Sequence, residues 1–330
     1  PIRYDAGHMV HELPTAVFNW AHRPSRNFFH FLVELVPLFL AAAPLMPSTL
    51  RHLPVLARHC QVRMYEQMGA PLIGIPPDQI RLLPTFKNDL FHANVVYQPI
   101  YQECHYPSRP LWKLLRRQHL LHPTGLPLFN PDWTHRSHPP LSSQEARSFP
   151  SDWVVVLAKR AKGKRRSMEN GDEVEEEVVR RFGHERVVTY NGSLPILQAA
   201  LTARTEPLSS ITPVLFPFHQ PPFHPLHHPP SARALFMRAR LFIAAHGAAL
   251  TNMIFMPEKA SLLEIRPQKC PTRVFNGLAA ACSLQYHLVF SQGTCSSTVV
   301  VNVTSVARVL DAMQARFQTE DGGGEGMGAN

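Results

Sequence analysis

From residue 153 onward, apolar positions fall in short unbroken runs, each followed by a more polar stretch. Residues 153–158 (Trp-Val-Val-Val-Leu-Ala) form the first run. A run with no polar interruption predicts a strand covered on both faces. Further runs predict strands at 186–190, 241–245, 261–265 and 285–290. Between them, the spacing predicts helices at 171–182, 249–256, 273–283 and 304–317. Strands alternating with helices point to a doubly wound parallel sheet.

The first part of the chain is patterned differently. Asn27 is placed to cap a helix through Phe28, Phe31, Leu32, Leu35, Leu38 and Phe39, with Pro37 kinking it. The apolar stretch 28–43 carries His30, Glu34 and Pro37, and is too short and broken to span a bilayer, so it reads as a core helix. Residues 62–65 and 95–97 read as short strands. Residues 107–150 are rich in Pro, His, Ser and Arg; 112–121 could form a basic helix, and the rest reads as a linker. The domains are therefore expected at 1–150 and 151–330.

Residues 201–232 break the second pattern. From Pro207 to Pro230 there are eight prolines, four histidines and no acidic residue, so neither a helix nor a central strand can form. Excising the segment would rejoin Leu194-Pro195-Ile196-Leu197-Gln198 to Ala234-Leu235-Phe236-Met237 as one amphipathic crossover helix. Two readings stay open: a translated retained intron or gene-model error, since these residue types have pyrimidine-rich codons, or a disordered surface insertion. His219, His224, His227 and His228 lie in this segment and are assigned no role.

The net charge of +9 suits an anionic partner: nucleic acid, an acidic membrane or a phosphorylated substrate. No RNA-recognition, zinc-finger or zipper pattern supports the first. The five cysteines make no metal-ligand spacing, and their odd number leaves at least one thiol unpaired. Sequons begin at Asn191 and Asn302 and would fit a secretory lumen, although roughly one is expected by chance.

Candidate chemistry concentrates after the buried runs. At 246–252 the sequence is His-Gly-Ala-Ala-Leu-Thr-Asn. Gly247, Ala248 and Ala249 allow close approach, Thr251 and Asn252 fall early in the next helix, and free N–H groups at a helix start bind phosphate. His246 could bond a phosphate oxygen. The competing reading is a small-residue turn needed only for tight packing. Glu264, read as the end of its strand, could accept bonds from both ribose hydroxyls of a nucleotide, or could pair with Arg266 or Lys259. Residues 159–166 place six cations in eight positions; Arg160 and Arg165 are the chosen diphosphate ligands, against the alternative of a solvated charged face. His30 and Glu34, four apart, share a helix face and could act as general base on an acceptor hydroxyl, or could be a core histidine with a pairing glutamate.

These motifs, in this order, resemble glycosyltransferase family 61 (DUF563). The resemblance rests on Asn-Phe-Phe-His-Phe-Leu-Val-Glu at 27–34 with Pro37, on 156–160 with Arg165, Arg166 and Asn170, and on the long block 239–257 followed by 263–265. It covers roughly residues 19–45 and 152–290. It implies a GT-B architecture: two Rossmann-like halves with the donor site in the C-terminal one. It also implies inverting transfer from a UDP-sugar, xylose or N-acetylglucosamine, to a glycan or glycoprotein, with no metal and no other cofactor. Its members include plant β-1,2-xylosyltransferases and O-GlcNAc transferases of the endoplasmic reticulum. It implies residence in the Golgi or endoplasmic reticulum lumen, with a type II membrane anchor upstream. Three departures stand out: Ala249 replaces a usual glycine, Arg240 a usual acidic residue, and 201–232 interrupts the approach to the donor site. The rival expectations are a catalytically inactive nucleotide-sugar-binding relative and a basic nucleic-acid-binding protein.

Overall fold

The computed structural model describes residues 149–191 and 232–322 continuously. Before them it describes residues 2–5, 8–13, 17–19, 33, 55–57, 80–82 and 90–97. His30, Glu34, the strand expected at 62–65, the helix expected at 112–121 and residues 201–231 lie outside the described residues; of the helix expected from residue 28, only Val33 is described, and it is buried. The chain separates into two compact units, Pro1–His138 and Pro139–Asn330.

In the first unit, β1 (Ile2–Asp5) and β2 (His8–Leu13) pair antiparallel. The strand β3 (Val17–Asn19) is the centre of a second sheet, with β4 (Val55–Ala57), β5 (Ile80–Leu82) and, after β6 (Leu90–Ala93), β7 (Val96–Tyr97). That sheet has the order β5-β4-β3-β7 and is parallel throughout, while β6 joins β2 in parallel.

The second unit is built on five parallel strands: β8 (Val154–Ala158), β9 (Val187–Tyr190), β10 (Ala239–Ala245), β11 (Ser261–Pro267) and β12 (Gln285–Ser291). Their order is β12-β11-β10-β8-β9, every pair in parallel register. The chain leaves β8 toward one edge, then returns to lay β10 on its other side. The two central strands β8 and β10 therefore diverge in their connections, which opens a crevice beyond their carboxyl ends.

The apolar runs explain why these strands are central. All five residues of β8 and all seven of β11 are buried. Alternate residues divide between the faces. Val155, Leu157, Leu241, Ile243, Leu263 and Ile265 join a core with Val174, Val178 and Phe182 of α1 (Gly171–Phe182). Val306, Leu310, Met313 and Phe317 of the last helix complete it. The i, i+4, i+8 spacing in α1 puts its three apolar residues on one stripe. Asp172 and Glu173 in its first turn and Arg180 and Arg181 in its last suit the helix dipole, and Gly183, in left-handed conformation, ends it. On the opposite face, Phe236 of α2 (Ala232–Met237) meets Phe242 with ring centroids 4.7 Å apart. The 3-10 helix Ala248–Phe255 and α3 (Val274–Ala281) contact each other, and α3 also contacts β12.

The expected helix at 249–256 is thus a 3-10 helix. Its six residues from Leu250 to Phe255 are all buried, so it has no polar face to turn to solvent. The tight bond from Leu250 N to Gly247 O, 3.0 Å, starts the narrower spiral. The last helix, α4 (Val303–Gly322), runs five residues past its expected end. Asn302 caps it, its Oδ1 accepting the Ser305 N–H at 3.0 Å, which gives that sequon asparagine a structural duty.

Arg240 explains the extra length of α4. It is 1% exposed near the start of β10, and its guanidinium donates to Asp321 at 2.7 Å and Glu320 at 2.8 Å. It also stacks 4.2 Å over the Phe317 ring and 5.1 Å from that of Trp153. The cation ties the end of α4 to the amino-terminal edge of the sheet, away from the crevice.

Candidate functional site

The loop that leaves β8 carries the basic run. Its first cation, Lys159, is engaged: Nζ donates to Asp172 at 2.6 Å and Glu175 at 2.5 Å, both on α1. Arg160, Arg165 and Arg166 are different. None of them meets a carboxylate among the described residues; their bonds go to neutral oxygens. Arg160 Nη1 donates to Arg165 O at 3.1 Å. Arg165 donates to Cys295 O at 3.2 Å and Ser296 Oγ at 3.1 Å, and Arg166 Nε donates to Cys295 O at 2.7 Å. Arg166 adopts left-handed backbone (φ 63°), a strained state for a long side chain. It is held there by its N–H bond to Ser297 O, 2.8 Å, and it lets two consecutive arginines reach one carbonyl.

The segment after β12 supplies that carbonyl and is stitched to the arginine loop. Val299 N donates to Ser167 O and Glu169 N to Val299 O, each at 2.9 Å. Asn170 exchanges both of its amide bonds with the Val301 backbone, at 2.9 and 3.0 Å. A disulfide joins Cys295 to Cys270, which follows β11. Loops from three strands of the sheet are thereby fixed to one another at its carboxyl edge.

The turn after β10 completes the crevice. A Cβ built on Gly247 would lie 2.9 Å from Arg160 Nη2 and 3.5 Å from Arg166 Nη1. Two guanidinium ends therefore lie over the bare Cα of Gly247, and a side chain there would push the end of Arg160 aside. Partial burial, and after it the charge of Arg165, holds the Arg160 guanidinium below its ordinary value. Arg166 is lowered in the same way, by burial first and then by Arg165 and Arg160. Both stay cationic at neutral pH. Like charges gathered without counter-ions are costly in the free protein and suited to an anion.

The predicted site residues divide. Arg160, Arg165 and Gly247 come together at the crevice, with Ala248 half-buried beside Gly247. Thr251 and Asn252 do not line it. Both are fully enclosed, and Asn252 Nδ2 donates to Ala249 O at 2.9 Å, bracing the 3-10 turn from within. The reason is geometric: the segment is buried from Leu250 onward, so its side chains pack rather than face the opening.

Glu264 also differs from expectation. It lies in the middle of β11, which continues to Pro267, and is 1% exposed. Its Oε1 lies 2.5 Å from His246 Nδ1, and its Oε2 accepts the Tyr286 hydroxyl at 2.5 Å. Both oxygens are thus used inside the protein, and neither is open to a ribose. Burial, then the Glu264 charge and hydrogen bond, pushes the Tyr286 hydroxyl far above its ordinary value, so it remains a donor. The His246 ring packs edge-on against Phe275, centroids 5.1 Å apart.

Arg166, Cys295, Ser296 and Tyr286 belong to this arrangement and were not picked out as ligands from sequence. Arg166 was visible in the basic run; the other three are brought in by pairings 22 or more residues away. Among the described residues no group of three or more His, Cys, Asp or Glu side chains is placed to hold a metal ion. No family model and no curated protein matches this chain.

Proposed function

We propose that the protein is an inverting glycosyltransferase that binds a UDP-sugar at the carboxyl edge of the β8–β12 sheet. One observation carries the proposal: Arg160 and Arg166 converge on Gly247 at the strand-order reversal of a parallel sheet, without a carboxylate among the described residues to neutralise them. A diphosphate supplies the missing charge, and arginine pairs bind it in bidentate fashion. The first N–H groups of the 3-10 helix add donors.

In this reading the acceptor hydroxyl gives its proton to a general base, for which the sequence offers Glu34 and His30 as candidates. Its oxygen bonds to the anomeric carbon while the bond from that carbon to the phosphate oxygen breaks, both electrons leaving on UDP. The arginines stabilise that charge without a metal. The resemblance to glycosyltransferase family 61 supports the assignment, as does the second parallel sheet in the first unit, which a GT-B architecture requires. The donor is UDP-xylose or UDP-N-acetylglucosamine, and the acceptor a glycan or glycoprotein. The disulfide and the sequons fit a Golgi or endoplasmic reticulum lumen.

The second reading, a nucleotide-sugar-binding relative without activity, draws on Glu264: a ribose contact expected there is given to His246 and Tyr286 instead. Calorimetry with UDP and a hydrolysis panel of UDP-sugars, each with chelator and on protein with and without residues 201–232, separate the two. Transfer or hydrolysis supports the enzyme. UDP binding with no turnover supports the inactive relative. Absence of UDP binding removes both.

A further inference from the structure

We propose that the rim of the crevice, carrying Lys162, Lys164, Lys269 and Arg273, binds an acidic glycan, so that the acceptor is a saccharide with uronate or sulfate groups. The inference rests on the glycosyltransferase reading above and names the acceptor class that reading leaves open.

The charges of the second unit are sorted by the ends of its strands. At the carboxyl edge, residues 159–168, 246–257, 266–273 and 292–302 hold nine Lys and Arg and no Asp or Glu. The first acid after the β8 loop, Glu169, is engaged with Thr298. Acids stand at the amino edge: Asp152 before β8, Glu185 before β9, Glu258 before β11, and Glu320 and Asp321 at the end of α4. Two arginines there are paired, Arg238 with Asp152 at 2.9 Å and Arg240 with Glu320 at 2.8 Å. Of the nine cations at the carboxyl edge, Lys159 is taken by α1, Arg266 is buried and bonds to Thr272 O, and Arg160, Arg165 and Arg166 serve the diphosphate. Lys162, Lys164, Lys269 and Arg273 remain, all exposed and none in an ion pair among the described residues. Lys162 acts on Asp172 only from a distance: that carboxyl is held below its ordinary value by the Lys159 hydrogen bond first, then by the Lys159 charge, and by Lys162 last.

Two loops carry these four cations, and the structure joins them. Lys162 and Lys164 flank Gly163, whose left-handed backbone (φ 76°) turns the loop, with Lys164 N bonded to Ala161 O at 3.1 Å. Lys269 directly precedes Cys270, whose Cα lies 5.1 Å from that of Cys295. Cys295 O in turn accepts from Arg165 at 3.2 Å and from Arg166 at 2.7 Å. The segment from Lys269 to Arg273 therefore borders the arginines of the crevice. Arg273 stands at the start of α3, whose first turn has no acidic residue, so the helix dipole adds to the positive field instead of offsetting it. A field of one sign around a crevice concentrates anions. The acceptor has to reach this edge, because the anomeric carbon hangs from the diphosphate there. Phe290 adds an apolar face. It is 50% exposed, and the bond from Gln268 N to Ser291 O at 3.0 Å sets it beside the turn that carries Lys269. One aromatic face suits one sugar ring. Residues 159–168, 267–273 and 292–302 contain no Phe, Tyr or Trp. They lack the succession of stacking platforms that holds single-stranded nucleic acid, and the broad apolar face that enters a bilayer.

The test is calorimetry on the full chain with defined probes: UDP, an oligogalacturonate, a sulfated galactan oligomer, a neutral oligoxyloside, single-stranded DNA of matched charge, and phosphatidylserine vesicles. An acidic oligosaccharide should bind about tenfold or more tightly than the neutral one, and less tightly as salt is raised. The double variant Lys164→Gln with Lys269→Gln, one change in each loop, should weaken that binding roughly three- to thirtyfold and leave UDP affinity unchanged. The control, Lys259→Gln with Arg308→Gln, removes the same charge from exposed positions away from the rim and should bind as the wild type does. Failure of both acidic oligosaccharides to bind, equal weakening in the control, or tighter binding of DNA or vesicles overturns the inference. So does a rim variant that loses UDP in step with the oligosaccharide. Each of these, with UDP bound by the wild type, leaves the glycosyltransferase reading standing. UDP left unbound while the rim holds the acidic oligosaccharide removes that reading instead, and with it the claim that the glycan is an acceptor.

Discussion

Arg166 donates its Nε–H to the carbonyl oxygen of Cys295 at 2.7 Å, and Cys295 is covalently tied to Cys270. The acceptor that aims the arginines is thus anchored by the disulfide. Cys270→Ser or Cys295→Ser should loosen that anchor. With the two cysteines 25 positions apart in sequence, the chain-entropy model gives a loss of about 3–4 kcal/mol of stability. UDP affinity should fall along with the melting temperature. A variant that melts earlier but binds UDP as tightly as the wild type would separate the disulfide from the site.

Gly247→Ala places a methyl group 2.9 Å from Arg160 Nη2. The atom that must move is the end of a long side chain, not backbone. The expected result is a modest loss of stability, about 1 kcal/mol, with a drop in UDP affinity of tenfold or more. Thermal melts and calorimetry on one preparation give both numbers. A variant that fails to fold would show that backbone conformation, not the approach of Arg160, demands glycine there.

The arginines of the crevice and the arginine of the core should respond in opposite ways. Arg160→Ala and Arg166→Ala remove a charge from a cluster that meets no carboxylate among the described residues, so stability should hold or rise slightly. UDP or pyrophosphate binding should weaken roughly ten- to hundredfold, and with it turnover. Arg240→Ala removes a cation enclosed by Phe317, Trp153, Glu320 and Asp321, and should cost about 2–4 kcal/mol without a direct effect on the crevice. Destabilised Arg160 and Arg166 variants with normal anion binding would make the run a structural feature.

Glu264→Ala should act on folding before it acts on binding. It would leave the Tyr286 hydroxyl and His246 Nδ1 without an acceptor in the interior, a cost of about 3 kcal/mol. Denaturant unfolding measures it. Full stability with selective loss of UDP affinity would return Glu264 to the ribose.

Glu175 gives an acid limb to stability. Burial raises its carboxyl, but the hydrogen bonds from Lys159 and Thr189 and the Lys159 charge outweigh burial and hold it below the ordinary carboxylate value. A depressed folded value means the contribution is complete above the unfolded value and disappears as pH falls through the folded one. Lys159→Ala should flatten that part of the pH–stability curve, and an unchanged curve would assign the acid limb to other carboxylates.

The central strands β8, β10 and β11 were legible because each is a run of apolar residues wrapped on both faces, a pattern that needs no knowledge of neighbours; the edge strands β9 and β12 are only partly buried. Helix α1 was legible to the residue, since its stripe, charges and terminal glycine agree. The basic run and the glycine turn were legible as candidates for phosphate. Sequence could not separate Lys159, consumed by α1, from Arg160 and Arg166, because that depends on which carboxylates the fold brings near. It placed Glu264 at a strand end, although β11 runs on to Pro267 and pairs with β12 along its whole length and with β10 as far as Ile265. It placed Thr251 and Asn252 at an opening, although the 3-10 helix turns them inward. Local patterning thus determined the elements and the chemistry available at their ends. Only the order of the strands, which brings the ends of β8 and β10 together and lets the loop after β12 bond to the loop after β8, decided which of those side chains face one another.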